Sequence, residues 1–198
     1  MNRRAPTGAA VLQPEVTRSI TEAVLDELAE QGYARVSMEA VAKRAGVGKS
    51  ALYRRWPAKQ DMVVAIISEI SLDHATAADT GSLRGDIRES LTAVENWLTH
   101  PRFSRILPDL FAEAVRNPAL HAAVDSAIGA PRRARGLEVL ERGIARGELP
   151  RDLDTELALD LLAAPIYWRI SVRGAPLESG YLDALTDTLL HALAPGQR

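Results

Sequence analysis

Apolar residues recur along most of this chain at three- and four-residue intervals, which predicts an all-helical protein. Val16, Ile20, Val24 and Leu28, widened by Leu25, mark a helix from Pro14 to Gln31 that Gly32 stops. Ser37 caps a second helix, Met38 to Ala45, whose Val41, Ala42 and Ala45 share a face and whose end Gly46 sets. Gly46-Val47-Gly48 leaves room only for a turn, and Lys49 to Arg55 follows as a short basic helix anchored inward by Leu52. Two short helices joined by a tight turn make a helix-turn-helix candidate, with the second helix offered to DNA. A long helix then runs from Lys59 to about Ala78 on a stripe of Met62, Val63, Ile66, Ile67 and Ile70, until Asp79-Thr80-Gly81-Ser82 breaks it.

The remaining pattern predicts Leu83 to Thr99, Arg102 to Arg116 with a bend at Pro108, and a helix opened by the Asn117-Pro118 start signal. That last helix meets Gly129-Ala130-Pro131 midway, as a kink or a break into two, and ends at Gly147. Asp154 or Thr155 caps Leu157 to Val172, which is apolar nearly all round, and Gly180 or Tyr181 to Leu193 closes the chain with leucines on one side. Two such helices offer more apolar surface than one layer of neighbours hides. That fits a homodimer formed through the last two helices, the other reading being completion of a single protomer's core.

Charge sharpens the division of labour. The 198 residues carry a net −2, but residues 1–60 hold ten Lys/Arg against six Asp/Glu, whereas residues 61–198 hold fourteen against twenty. A basic first third on an acidic remainder is what a protein with one end facing phosphates needs. No apolar run approaches the roughly 18 residues of a membrane span, and no apolar segment follows Arg3 and Arg4 as a secretory signal requires, so the cytoplasm is expected. Zero cysteines exclude disulfides, thiol sensing and cysteine-ligated zinc.

The stretch AGVGKSALYRRWPAKQDMV resembles the recognition helix and exit of the TetR family of bacterial transcriptional regulators, through Ala45-Gly46-Val47, Leu52-Tyr53, Trp56-Pro57 and Lys59. Upstream, Gly32-Tyr33 and Val36-Ser37 extend the likeness to about a quarter of the chain, and RGELPRDLDTELALDLLAAPIYWRISVRGAPLE is similar to the C-terminal half of one subgroup. Gly48 departs from the family's usual capping Ser, and Arg55 from an aromatic or His. The polar first residues, with Arg3, Arg4, Pro6 and Gly8, read as a disordered arm over 1–14, and the resemblance implies a helix-turn-helix DNA-binding domain over 15–60 and a ligand-binding and dimerisation domain over 61–198. It further implies that Lys49, Ser50 and Ala51, with Arg55, reach base edges. Lys49 or Arg55 would donate to guanine, and Ala51 would touch a thymine methyl. Ser37, Tyr53 and Lys59 match phosphate-holding positions, Gly48 belongs to the same DNA-facing set but lacks the hydroxyl and phosphate contact of a capping Ser, and Arg54 and Lys43 add charge without sequence information. The partners implied are double-stranded operator DNA and a small apolar effector. Trp97, Phe103, Phe111, Tyr167 and Trp168 are candidates for lining its pocket.

Competing chemistry fails on context. Gly48-Lys49-Ser50 ends like a phosphate-binding loop, but that motif needs glycine where Lys43 stands and a strand where the pattern is helical. No nucleophile elbow, no HExxH and no ligand cluster occurs. His121 with Asp125 has one-turn spacing, but two ligands do not make a site, so no cofactor, no metal and no enzymatic activity are expected. The alternative kept open is a helical small-molecule-binding or interaction protein whose head does not bind operator DNA.

Overall fold

A computed structural model describes residues 14–73 and 79–194. The expected N-terminal arm, apart from Pro14, and the expected end of the fourth helix at Ala78 lie outside the described residues. Helices α1 (Pro14–Gln31), α2 (Met38–Ala45) and α3 (Lys49–Tyr53) pack around Ile20, Val24, Leu28, Val41 and Leu52, all 2% exposed or less. α4 (Lys59–Asp73) leaves this head on Met62, Val63, Ile66 and Ile67 and runs into the body. The body comprises α5 (Leu83–Thr99), α6 (Phe103–Arg116), α7 (Pro118–Val124), α8 (Ala130–Ala145), α9 (Thr155–Tyr167) and α10 (Tyr181–Leu193). No strand occurs among the described residues.

The capping signals act as their chemistry requires. The side chains of Ser82, Asn117 and Asp154 accept from the backbone N–H three residues on, at 3.2, 3.1 and 3.0 Å, so Asp154 rather than Thr155 caps α9. Pro131 and Pro165 each lie near a π-helical turn, whereas Pro108 sits inside an α6 that stays α-helical throughout. Between α7 and α8, residues Asp125–Gly129 stay right-handed, and the Ala130 N–H reaches back five residues to the Asp125 carbonyl just before Pro131 withdraws a donor. Trp168–Val172 forms the second such turn, three residues beyond Pro165, so the expected helix to Val172 continues as a π turn after Tyr167.

One ionic network ties α5 to α8. The fully buried Asp86 carboxylate accepts from the Thr80 N–H (2.7 Å), the Thr80 hydroxyl (2.8 Å) and Arg146 Nη2 (2.9 Å). Burial alone would raise its pKa, but these donors together hold it below the usual carboxylate value. Close packing beside this network rests on Gly143, where a Cβ would stand 2.9 Å from both Leu83 and Leu149.

Candidate functional site

The turn between α2 and α3 is built from local chemistry. Ser37 accepts from the Ala40 N–H at 3.1 Å and starts α2. Gly46, at φ +67°, ends it, and the Val47 N–H then bonds the Ala42 carbonyl at 3.0 Å. A Cβ at Gly46 would meet nothing within 4 Å, so the glycine is required by backbone conformation and not by space. Gly48 begins α3 without a side-chain cap, and α3 stops at Tyr53, so Arg54 and Arg55 lie in the turn that follows rather than inside the expected helix. Leu52 is fully buried, worth about 2 kcal/mol of apolar transfer, and this pins α3 to the head.

Around that pin, Gly48, Lys49, Ser50, Tyr53 and Arg54 are exposed and Ala51 is half-buried. Lys49 and Tyr53 lie one turn apart on the same outward side. Lys49 Nζ pairs with Glu39 at 3.2 Å, both groups in solvent, and the Glu39 carboxyl is held low by its own backbone N–H and then by Lys49. Two further predicted DNA contacts, Arg55 and Lys59, are engaged within the head. Arg55 Nη1 donates to the Thr17 hydroxyl at 3.2 Å on α1. Lys59 Nζ donates to the Tyr33 and Ala34 carbonyls at 2.9 and 3.3 Å and sits 4.5 Å from the centre of the Tyr33 ring. Lys43 is exposed. Its neighbour Arg44 is spent internally, bridging α2 to Glu27 (2.8 Å) and Glu30 (2.5 Å) of α1.

Head and body are joined by polar contacts that sequence reading missed. Asp109 on α6 accepts from the Tyr33 N–H at 2.6 Å, and a Cβ on Gly32 would stand 3.0 Å from the same carboxylate. Arg102 pairs with Glu22 (2.7 Å) and Asp26 (2.8 Å) on α1. No local pattern marks these contacts, because Tyr33 and Asp109 lie 76 residues apart.

Inside the body a cavity of about 510 Å3 opens between α5, α6, α8 and α9. Trp97, Phe111 and Tyr167 line it, the last two rings meeting edge-on at 5.9 Å. The other two aromatic candidates do not. Phe103 is 1% exposed and packed against Trp97 and His100, and Trp168, 59% exposed, faces solvent. α8 and α9 approach closely at Gly136, where a Cβ would lie 2.7 Å from Leu159.

Among the described residues no three His, Asp or Glu side chains are grouped to hold a metal, and no helix is long and apolar enough to cross a membrane. Residues 20–66 match the family described as bacterial regulatory proteins, tetR family, and residues 77–189 match the Tetracyclin repressor-like, C-terminal domain. Uncharacterized HTH-type transcriptional regulator YdeS of Bacillus subtilis (strain 168) is 29% identical over 165 residues, 83% of each chain. DNA-binding transcriptional repressor TetR of Mycobacteroides abscessus is 28% identical over 176 residues, 88% of this chain and 92% of that one. The crystal structure of TetR family transcription regulator SCO0332 has a TM-score of 0.72 at 29% identity, covering 91% of this chain and 100% of that chain. With a helix-turn-helix head at one end and a matching helical body over more than half its length, this chain belongs to the TetR family and is a DNA-binding transcriptional regulator, not an enzyme.

Proposed function

We propose that this regulator is a cytoplasmic homodimeric repressor that grips a palindromic operator through α3 and lets go when a small molecule fills the cavity of the body. The observation that carries the DNA half is the exposed Lys49, Ser50, Tyr53 and Arg54 surface held out from the head by the buried Leu52. Lys49 reads a guanine edge once it exchanges Glu39 for DNA, Ser50 and Ala51 lie against neighbouring bases, and Tyr53 and Arg54 hold phosphates. Ser37 uses one hydroxyl lone pair in capping and keeps its O–H to donate to a phosphate. Gly48, with no side chain, lets the backbone approach the duplex closely. Lys59 and Arg55 act differently from Lys49, seating the turn and the end of α3 through Tyr33, Ala34 and Thr17.

Dimerisation is supported by Leu157, Trp168 and Val172, each more than half exposed on α9 and the π turn that extends it. α10 contributes less, since it buries Leu182, Leu189 and Leu193 within its own protomer. Release follows from the junction. A ligand that favours one arrangement of α6 and α8 changes the seat of the head through Asp109 and Arg102, and it shifts the equilibrium only by its differential affinity for the two arrangements.

Lys49→Ala, Lys59→Ala and Arg55→Ala test the division of roles on an operator and on its single-base variants. Lys49→Ala is expected to erase discrimination at one base pair, worth about 1–3 kcal/mol, whereas the other two weaken every duplex by a similar factor. Equal losses on all duplexes for all three variants would refute it.

A further inference from the structure

We infer that the body cavity takes an organic anion, an apolar or aromatic compound carrying a carboxylate, with Arg132 as the receptor for its charge. This rests on the reading of the cavity as the effector site and names the chemistry of the effector.

The lining is apolar over most of its surface, from Val94, Leu98, Phe111, Leu159 and Leu162, yet Arg132 of α8 is placed within it. Its guanidinium stacks on the Trp97 ring, Cζ lying 4.1 Å from the ring centre. Its hydrogen bonds run through Nη1 to the Ser71 carbonyl (3.2 Å) and hydroxyl (3.4 Å), and among the described residues no carboxylate pairs with it. The next residue shows the contrast. Arg133, at the rim, pairs with Asp160 at 2.8 Å and with Glu156. Burial pushes the Arg132 pKa down to about 10, which still leaves the side chain charged at neutral pH.

Arg132 is half-buried, and a cation drawn partly out of water without a counter-charge is costly, so interiors supply a partner where one is available. Here the neighbourhood supplies more donor instead. Trp97 Nε1, on the ring beneath the guanidinium, is buried without a hydrogen-bond partner, and an indole N–H can only donate. A guanidinium whose acceptors are the neutral Ser71 oxygens, stacked on a ring whose N–H has no acceptor, suits an anionic oxygen better than a neutral one. The volume of about 510 Å3 suits a compound of ordinary small-molecule size. Arg132 also touches the far end of α4, the helix that begins at the head, so an anion drawing the guanidinium away from Ser71 acts directly on that helix.

The test uses the full-length protein and matched probes differing only in the head group: decanoate with decanol, and naphthoate with naphthalene, titrated calorimetrically. At least one acid is expected to bind roughly tenfold or more tightly than its neutral partner, the worth of a charge-assisted pair at a half-buried cation. Arg132→Gln and Arg132→Met are both expected to abolish that preference while leaving the neutral probe's affinity within about twofold. The wild-type comparison stands even if one variant fails to fold. Neutral probes binding as well as the acids, neither acid binding at all, or a preference that survives in both variants would overturn the inference. A gel shift run alongside separates it from the reading beneath it. Neutral probes that release DNA keep the effector site and discard the anion, whereas an acid that binds through Arg132 without releasing DNA keeps the anion and discards the effector role.

Discussion

Operator affinity is expected to fall roughly a thousandfold or more as salt rises from about 50 to about 200 mM. Each head presents Lys49, Arg54 and Lys43 with the Tyr53 and Ser37 hydroxyls on the outward side of α2 and α3. Two heads on one operator together neutralise about six phosphates with these cations, and each neutralised phosphate releases condensed counterion. The slope belongs to the head alone, because the acidic remainder, with fourteen Lys/Arg against twenty Asp/Glu, cannot attract the duplex. Fluorescence anisotropy of a labelled operator across a salt series measures it. Log affinity against log salt with a slope shallower than about −3 would mean that far fewer phosphates are held than two heads can reach.

Phe103→Ala is expected to cost about 3–5 kcal/mol of folding stability, and to lower the melting temperature by on the order of 10 °C, whatever the protein concentration. Phe103 is 1% exposed at the first turn of α6, with ring centres 6.3 Å from Trp97 and 5.0 Å from His100, so its removal leaves a void between α5 and α6. The same substitution at Trp168 meets a different environment. That ring is 59% exposed, and its loss is expected to lower the melting temperature mainly through dimerisation, in a way that depends on protein concentration. Thermal denaturation at two concentrations checks both. A small loss for Phe103→Ala would mean that the junction of α5 and α6 is held by something other than this ring.

What could be read from the sequence was local. Ser37 as a cap, Gly46 in the left-handed region and Asn117-Pro118 as a helix start each act within four residues of where they stand, and Leu52 is the large aliphatic residue of α3. Periodicity therefore sufficed for the order of the helices and for the face of α3 turned outward. What could not be read was phase and distance. The helix leading to Val172 is apolar nearly all round, so nothing in its pattern separates Tyr167, against the cavity, from Trp168, in solvent, although neighbouring residues on a helix point about 100° apart. Arg132 and Arg133 are likewise indistinguishable until α9 brings Asp160 to one of them and not the other. Lys59 resembles a phosphate ligand until the chain folds the Tyr33 and Ala34 carbonyls onto its ammonium from 25 and 26 residues away. Pro131 reads as a break or kink because a sequence does not reveal that an extra residue is absorbed into a π turn nearby.

The central claim, two α3 helices reading one symmetric site, is tested most directly by sequencing the duplexes that the purified protein selects from a random pool at low salt. The account predicts an inverted repeat whose half-site centres lie one helical turn, about 34 Å, or a multiple of it apart, lost together when Leu52→Asp dislodges α3. A pool that stays unenriched, or a single half-site with no inverted copy, would contradict it.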